Sequence, residues 1–227
     1  MDDPVAAVAA LAEPTRRRLY DHVVRQPAPV SRDEAAAALG VPRGTTAFHL
    51  DRLVADGLLD VHYERRTGRT GPGAGRPAKL YRRAACAVAV SLPERRYDLA
   101  GELLAGALEE AEASGESPRT VLERRARRRG RELAARVAGE EGAEPVLRVL
   151  EEHGFEPRPE GDAVALGNCP FHALAEQHTA LVCGMNLQLL GGVLEEVGGA
   201  GLAARLTPSA GRCCVRLEPA AAEAAGH

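Results

Sequence analysis

The sequence predicts an α+β fold, mostly helical, split between a basic N-terminal part and an acidic remainder. Three observations predict it. Apolar residues recur at helical spacing over most of the 227 residues, and short alternating runs are confined to 59–64, 79–83, 155–166 and 202–217. The core must be built from Leu, Val and Ala, because there is no Trp and only three Phe. That composition suits helix packing and argues against platforms for stacking nucleobases. Charge is also unevenly divided: residues 1–83 hold 14 Lys and Arg against 10 Asp and Glu, whereas 84–227 hold 15 against 22. A basic first part points to an anionic partner.

In chain order, apolar residues from Pro4 to about Val24 make a helical pattern broken at Pro14, and Gln26–Val30 is a proline-rich turn. Ser31 with Glu34 three residues later forms a capping box, so a helix starts there and runs through the alanines to Leu39. Gly40, Val41 and Pro42 make the next turn, since glycine ends one helix and proline suits the start of another. The helix that follows, Pro42–Ala55, buries Ala47, Leu50, Leu53 and Val54 in one stripe. Its opposite side is expected to present Arg43, Thr45, Thr46, His49 and Arg52. Arginines donate to guanine edges or phosphates and threonines touch methyl groups or phosphates, which is what a helix in a major groove needs.

A capped helix, a three-residue turn and an amphipathic helix together read as a helix-turn-helix, whose partner would be double-stranded operator DNA. Leu59–Glu64 alternates as a half-buried strand and Lys79–Arg83 returns beside it. The tip between them is dense in Gly and Arg, and 43–83 hold 9 basic against 4 acidic side chains. Such a hairpin is a wing, with Arg69 and Arg76 placed to reach phosphates or a minor groove. Residues 1–84 are therefore read as a winged helix-turn-helix DNA-binding domain.

The segment LAEPTRRRLYDHV resembles the first helix of ArsR-like regulators, and GRPAKLYRR from Gly75 to Arg83 closely resembles the wing of SufR-type repressors. These are ArsR-like or DeoR-like regulators that carry an iron-sulfur cluster. The resemblance implies a homodimer that binds an inverted-repeat operator, acts as a repressor and responds to its cluster. Helical stretches at Arg96–Ala113 and Thr120–Val137 become, in the resemblance, linker and dimerisation helices within 85–141. Their leucine faces could pack on each other or on a second chain. The run RRARRRGR is read as a solvated arginine face, with a second phosphate contact as the alternative. A third short helix spans Pro145–His153, with His153 as a cap.

Residues 142–227 read as a small α+β sensor domain holding four of the five cysteines. There is no apolar run near twenty residues, and MDDPVAAVAALAEPTRRR places acid before arginine, opposite to an export signal. A cytoplasmic protein without a membrane segment is expected, so its cysteines should be reduced thiols or metal ligands. Cys86, among Ala and Val, is taken as structural. The pattern NCP followed fourteen residues later by the cysteine of LVCGMN is similar to the SufR-type cluster region, which carries the role of ligand to Cys169 and Cys183.

Geometry limits how these two could share a centre. In one straight helix, fourteen steps of about 1.5 Å would hold them roughly 21 Å apart. The chain must therefore fold back near Gln177–Thr179, with Thr179 capping the second helix and Cys169 at the N-terminus of the first, where the dipole favours a thiolate. Adjacent Cys213 and Cys214 point to opposite faces of a regular strand, so both serve one centre only if the strand is bulged or ends there. The expected ligands are Cys169, Cys183 and at least one of Cys213 and Cys214, with His172 or His178 as substitutes for the fourth. All-cysteine ligation favours an iron-sulfur cluster, with 4Fe-4S expected, and a mixed set favours zinc.

No CxxC pair, catalytic triad or nucleotide-binding glycine fingerprint occurs, so an enzyme is not expected. An iron-sulfur assembly protein without DNA binding is the remaining class. In the regulator reading, the sensor's state changes its packing on the dimer helices and hence the spacing of two recognition helices, about 34 Å apart.

Overall fold

The computed structural model describes residues 4–65, 77–85, 87–198, 201–208 and 211–220. The chain divides into two units, Met1–Val90 and Ser91–His227.

In the first unit, α1 (Pro4–Ala10) and α2 (Pro14–Val24) are separate helices, as Pro14 requires. Glu13 caps α2, accepting from the N–H groups of Thr15 and Arg16 at 3.0 and 2.5 Å. A two-residue strand β1 (Val30–Ser31) leads into α3 (Arg32–Leu39), whose capping box between Ser31 and Glu34 is complete. Gly40 closes α3 at φ 65°, the left-handed conformation that favours glycine. Then come α4 (Arg43–Ala55), β2 (Leu59–Glu64) and β3 (Ala78–Arg83). The sheet is antiparallel in the order β1-β3-β2, with Val30 opposite Tyr81 and Val61 opposite Tyr81 on its other side. Leu19, Val23, Ala35, Leu50, Leu53 and Leu59 close the core. The segment read as a turn through Val30 is thus a turn only to Pro29. Two residues are too few for an alternation signal, and β1 exists because β3 supplies its partner.

The second unit begins with α5 (Tyr97–Ser114) and α6 (Pro118–Ala134), extended by a 3-10 turn at Ala135–Val137, and α7 (Glu144–Glu152). It continues with β4 (Pro157–Glu160), β5 (Ala163–Leu166), α8 (His172–Gln177), α9 (Thr179–Val197), β6 (Leu202–Leu206) and β7 (Val215–Pro219). Its antiparallel sheet has the order β4-β5-β7-β6. Leu103, Ala107, Val121 and Leu122 of the first two helices share one core with Met185 and Leu189 of α9. Of the stretch 85–141, read as a linker and dimerisation segment, residues 91–141 lie in one unit with the sensor region, and the division falls after Val90. Of the leucine stripe of α5, Leu99 and Leu103 are buried in this core, Leu104 is half-buried and Leu108 is 56% exposed.

Two glycines permit α6 and α9 to cross with backbones in contact: a Cβ on Gly130 would stand 1.9 Å from the Leu189 carbonyl oxygen, and one on Gly192 would stand 2.0 Å from that of Arg127. The arginine run of α6 is engaged with carboxylates. Arg124 pairs with Glu110 and Glu116, Arg125 with Glu110, Arg127 and Arg131 with Glu195, and Arg128 and Arg129 with Glu132. Among the described residues one helix, α9, is long and apolar enough to cross a membrane, although the sequence had been read as having no such run. With 56% of that stretch buried in its own unit, its apolarity is that of a core helix.

Candidate nucleic-acid interface and cysteine centre

Thr45, Arg43 and Arg52 are exposed on α4, as a groove-facing side requires. Thr46 and His49 are not: they are 0% and 8% exposed and face the interior of the unit. The buried stripe runs through positions 46, 49, 50 and 53, rotated toward α2 from the one read in the sequence. Polarity had placed both residues outside, but each has an internal partner. Thr46 Oγ1 lies 3.5 Å from the carbonyl of Val41, and His49 Nδ1 sits 3.5 Å from both Arg16 Nε and Glu13 Oε2. Buried polar groups are tolerated when paired in this way. Arg69 and Arg76 lie outside the described residues.

The exposed face carries its own charge network. Asp33 of α3 accepts two bonds from the Arg43 guanidinium, at 2.8 and 2.5 Å, which hold its carboxyl below the usual range. Arg52 Nε reaches Asp56 Oδ2 at 3.0 Å one turn on. Asp51 accepts from Lys79 Nζ at 2.5 Å and Tyr81 Oη at 2.8 Å, so the helix is tied to strand β3. Burial acts to raise the Asp51 carboxyl, yet these two bonds hold it low; burial and then Asp51 push the Tyr81 hydroxyl up to about 12. Phe48, 65% exposed, occupies the middle of this face. Neither it nor the Asp51 anchor had been singled out, although the spacing of 45, 48 and 52 put Phe48 on the line of the outward residues.

In the second unit the four cysteines at 169, 183, 213 and 214 are drawn together from three stretches of chain. All are free thiols, the first three buried and Cys214 half-buried. The Cys169 and Cys213 thiols neighbour one another, as do those of Cys183 and Cys214. The foldback that this demands is present, because α8 ends at Gln177 and α9 begins at Thr179. Thr179 does not cap α9 as expected; its hydroxyl donates to the Ala175 carbonyl at 2.7 Å and fastens the corner from behind. Cys169 lies in the turn before α8, two residues ahead of its N-cap Phe171. Cys213 and Cys214 precede β7, which starts at Val215, so the opposite-face rule for a regular strand does not act on them.

The local electrostatics differ from thiol to thiol. The Cys213 hydrogen bond, working against burial and aided by the Phe171 N–H and the Arg95 charge, brings the Cys169 thiol down to about 7. Burial first, then Cys214, raises the Cys183 thiol to about 12, and the Cys169 hydrogen bond and burial raise Cys213 well above the usual range. Two N–H groups face Cys213: Asn186 Nδ2 at 3.3 Å and the Val215 amide at 3.5 Å. Asn186 is 1% exposed and its Oδ1 is buried without a hydrogen-bond partner. Asn168, beside Cys169, donates to the carbonyls of Glu94 and Gly154 at 3.0 and 2.6 Å and accepts from Arg95 Nη1 at 2.5 Å. The substitutes read in the sequence are turned elsewhere: His172 Nε2 faces Glu176 at 3.4 Å, and His178 is exposed at the start of α9. His153 neighbours Arg96, at 3.3 Å.

The donor set is therefore four thiols with N–H groups aimed at one of them, which suits a thiolate-bound centre. Among the described residues no three His, Cys, Asp or Glu side chains are gathered as tightly as around a single ion.

Residues 11–62 match the family model of a helix-turn-helix domain, a span covering α2, β1, α3, α4 and the first part of β2. No curated protein matches the chain. The match and the fold of the first unit together give the protein a DNA-binding helix-turn-helix domain of the kind that transcription regulators carry.

Proposed function

We propose that this protein is a homodimeric, winged helix-turn-helix transcriptional repressor. Its grip on double-stranded operator DNA is set by an iron-sulfur cluster, or by the redox state, at Cys169, Cys183, Cys213 and Cys214. The observation that carries the reading is the convergence of four thiols from three separate stretches in a chain whose other unit is a helix-turn-helix domain. A cluster supplies one-electron chemistry and sensitivity to oxidants. The chain's own residues prepare for it. The Cys169 thiol is shifted below the usual range, Asn186 and Val215 offer N–H groups to the Cys213 sulfur, and Cys169, Cys183 and Cys213 are buried while Cys214 is half-buried. On the DNA side, Thr45 and Arg52 of α4 would meet base edges or phosphates, with Arg43, Arg69 and Arg76 adding phosphate contacts.

Zinc is the second reading: four thiolates would hold it tetrahedrally only if drawn closer than they stand here, and the centre would then be structural or a sensor of a different kind. Anaerobic purification followed by an absorption spectrum and iron, sulfide and zinc analysis separates the two. Brown protein with iron and sulfide supports the cluster, and colourless protein with stoichiometric zinc replaces it. Gel-shift titrations against DNA upstream of the protein's own gene, with the centre loaded and stripped, test the regulator. No specific complex in either state would end that reading. Arg52→Ala should weaken binding and leave metal content unchanged, and Cys183→Ser should lower metal content first.

A further inference from the structure

The outward face of α4 is less cationic in its action than its sequence. Both arginines on it are held by carboxylates, Arg43 by Asp33 and Arg52 by Asp56, and Asp51 adds a negative charge that Lys79 and Tyr81 fix in place. At the centre, on the line joining Thr45 and Arg52, stands the Phe48 ring. Among the described residues its ring contact is edge-on to His49, with centroids 5.3 Å apart, and 65% of the residue is open to solvent. A single exposed phenylalanine is ordinary on a protein surface. This one sits in the first half of the second helix of a helix-turn-helix, the part that meets base edges when such a helix enters a major groove.

Apolar groups on the major-groove floor are few, and only thymine presents a methyl group there among the four bases. We infer that Phe48 is a specificity-determining residue that packs its ring on the 5-methyl group of a thymine, one in each half of the operator. The inference rests on the DNA-binding reading above and adds to it the chemistry that is read. A ring wedged between base steps is the other use of phenylalanine on DNA, but that belongs to minor-groove binders, and Phe48 projects from the helix that a helix-turn-helix lays in the major groove. Selectivity at this site then comes from shape and apolar contact, with the paired arginines fixing register on the backbone.

The test uses the full chain. Duplexes are selected from a randomised pool, and affinities are measured by fluorescence anisotropy on the selected duplex and on versions with each thymine singly replaced by uracil, which removes the methyl and leaves the pairing intact. One methyl buried at about 0.8 kcal/mol corresponds to about a fourfold loss of affinity. The wild-type chain should show that loss at one thymine per half-site and near-equal binding elsewhere. Phe48→Ala should bind thymine and uracil duplexes alike, with an unchanged salt dependence because no phosphate contact is lost. Phe48→Leu should keep part of the ratio, and the melting temperature of both variants should match the wild type. A wild-type chain that binds its selected duplex but ignores every uracil overturns the inference, as does discrimination that survives in Phe48→Ala. A change of oligomeric mass in Phe48→Ala with discrimination intact assigns the ring to a protein contact and overturns it too. If no duplex of any sequence is bound, the DNA-binding reading itself falls, and that result is distinct from all of these.

Discussion

The crossing of α6 and α9 gives the most direct test of how the second unit is held. A Cβ added to Gly130 would stand 1.9 Å from the Leu189 carbonyl oxygen and 2.9 Å from its carbon. On Gly192 it would stand 2.0 Å from the Arg127 oxygen and 3.1 Å from the Arg131 nitrogen. All of these neighbours are backbone, so no side chain can swing aside. Reaching ordinary contact means moving the helices apart by more than about 1 Å, and a gap of that size forfeits roughly a quarter to a half of each dispersion contact along the seam. Overpacking of this kind costs about 3 kcal/mol or more, and alanine's better helix propensity returns about 1 kcal/mol. Each variant should therefore lose about 2–3 kcal/mol, a fall in melting temperature of roughly 4–12 °C for a unit of this size. The control lies on the same helix: a Cβ on Gly184 meets only Glu123 Oε1 at 3.7 Å, and Gly101 of α5 has nothing within 4 Å. Alanine at either should be neutral or stabilise by up to about 1 kcal/mol. Thermal and urea unfolding followed by circular dichroism decide the matter. Wild-type stability in Gly130→Ala and Gly192→Ala would refute the close crossing.

Ser31→Ala removes the hydroxyl that accepts from the Glu34 N–H at 3.2 Å, and should cost about 1 kcal/mol in urea unfolding of the first unit. Tyr81 has its folded-state pKa raised from 10.0 to about 12, so its contribution is fully present below pH 10 and is lost as pH rises from 10 toward 12. Tyr81→Phe should cost about 1–2 kcal/mol at neutral pH, because Asp51 loses a donor, and should lack that alkaline loss; parallel stability curves from pH 9 to 12 would contradict the assignment. Cys183→Ser should lower the iron bound after anaerobic reconstitution while the thermal transition of the first unit stays in place, and full iron retention would remove Cys183 from the centre. Asn168→Ala leaves the Gly154 and Glu94 carbonyls and the Arg95 guanidinium short of a partner, and should cost about 2–3 kcal/mol with faster amide exchange at 94–97.

Where local chemistry decides, the fold was legible in the residues. Ser31 and Glu34 announce the start of α3, Gly40 its end and Pro14 the break before α2, because each acts through its own backbone. What the sequence hid was rotation and partnership. On α4 a polar side chain reads as outward until Arg16 and Glu13 are known to lie beside His49, and those residues come from more than thirty positions earlier. The strand β1 was invisible because its ladder partner is β3, fifty residues on. The same limit governed the stripe of α5, of which Leu99 and Leu103 are buried within the chain and Leu108 is exposed. At the cysteines, helix arithmetic alone required the corner that the chain makes at His178 if Cys169 and Cys183 were to meet. It could not foresee Asn186, which sits three residues beyond Cys183 and enters through Cys213.

The turn that carries Cys169 is tied by several bonds to the segment 94–97. Besides the bonds of Asn168, the Arg96 N–H donates to the Pro170 carbonyl at 3.1 Å, Arg95 Nη1 to the Cys169 carbonyl at 3.3 Å, and the Ala173 N–H to the Tyr97 hydroxyl at 3.4 Å. Residues 94–97 are the segment by which the chain enters this unit, a few residues after the first unit ends at Val90. Removing or adding a charge at the Cys169 sulfur alters its attraction to Arg95, which is the side chain that holds Asn168 and the Cys169 carbonyl together. Under the function proposed above, a change of charge at this sulfur would be felt first by the segment 94–97, whereas Cys183, buried in the second turn of α9, lies against the packed core.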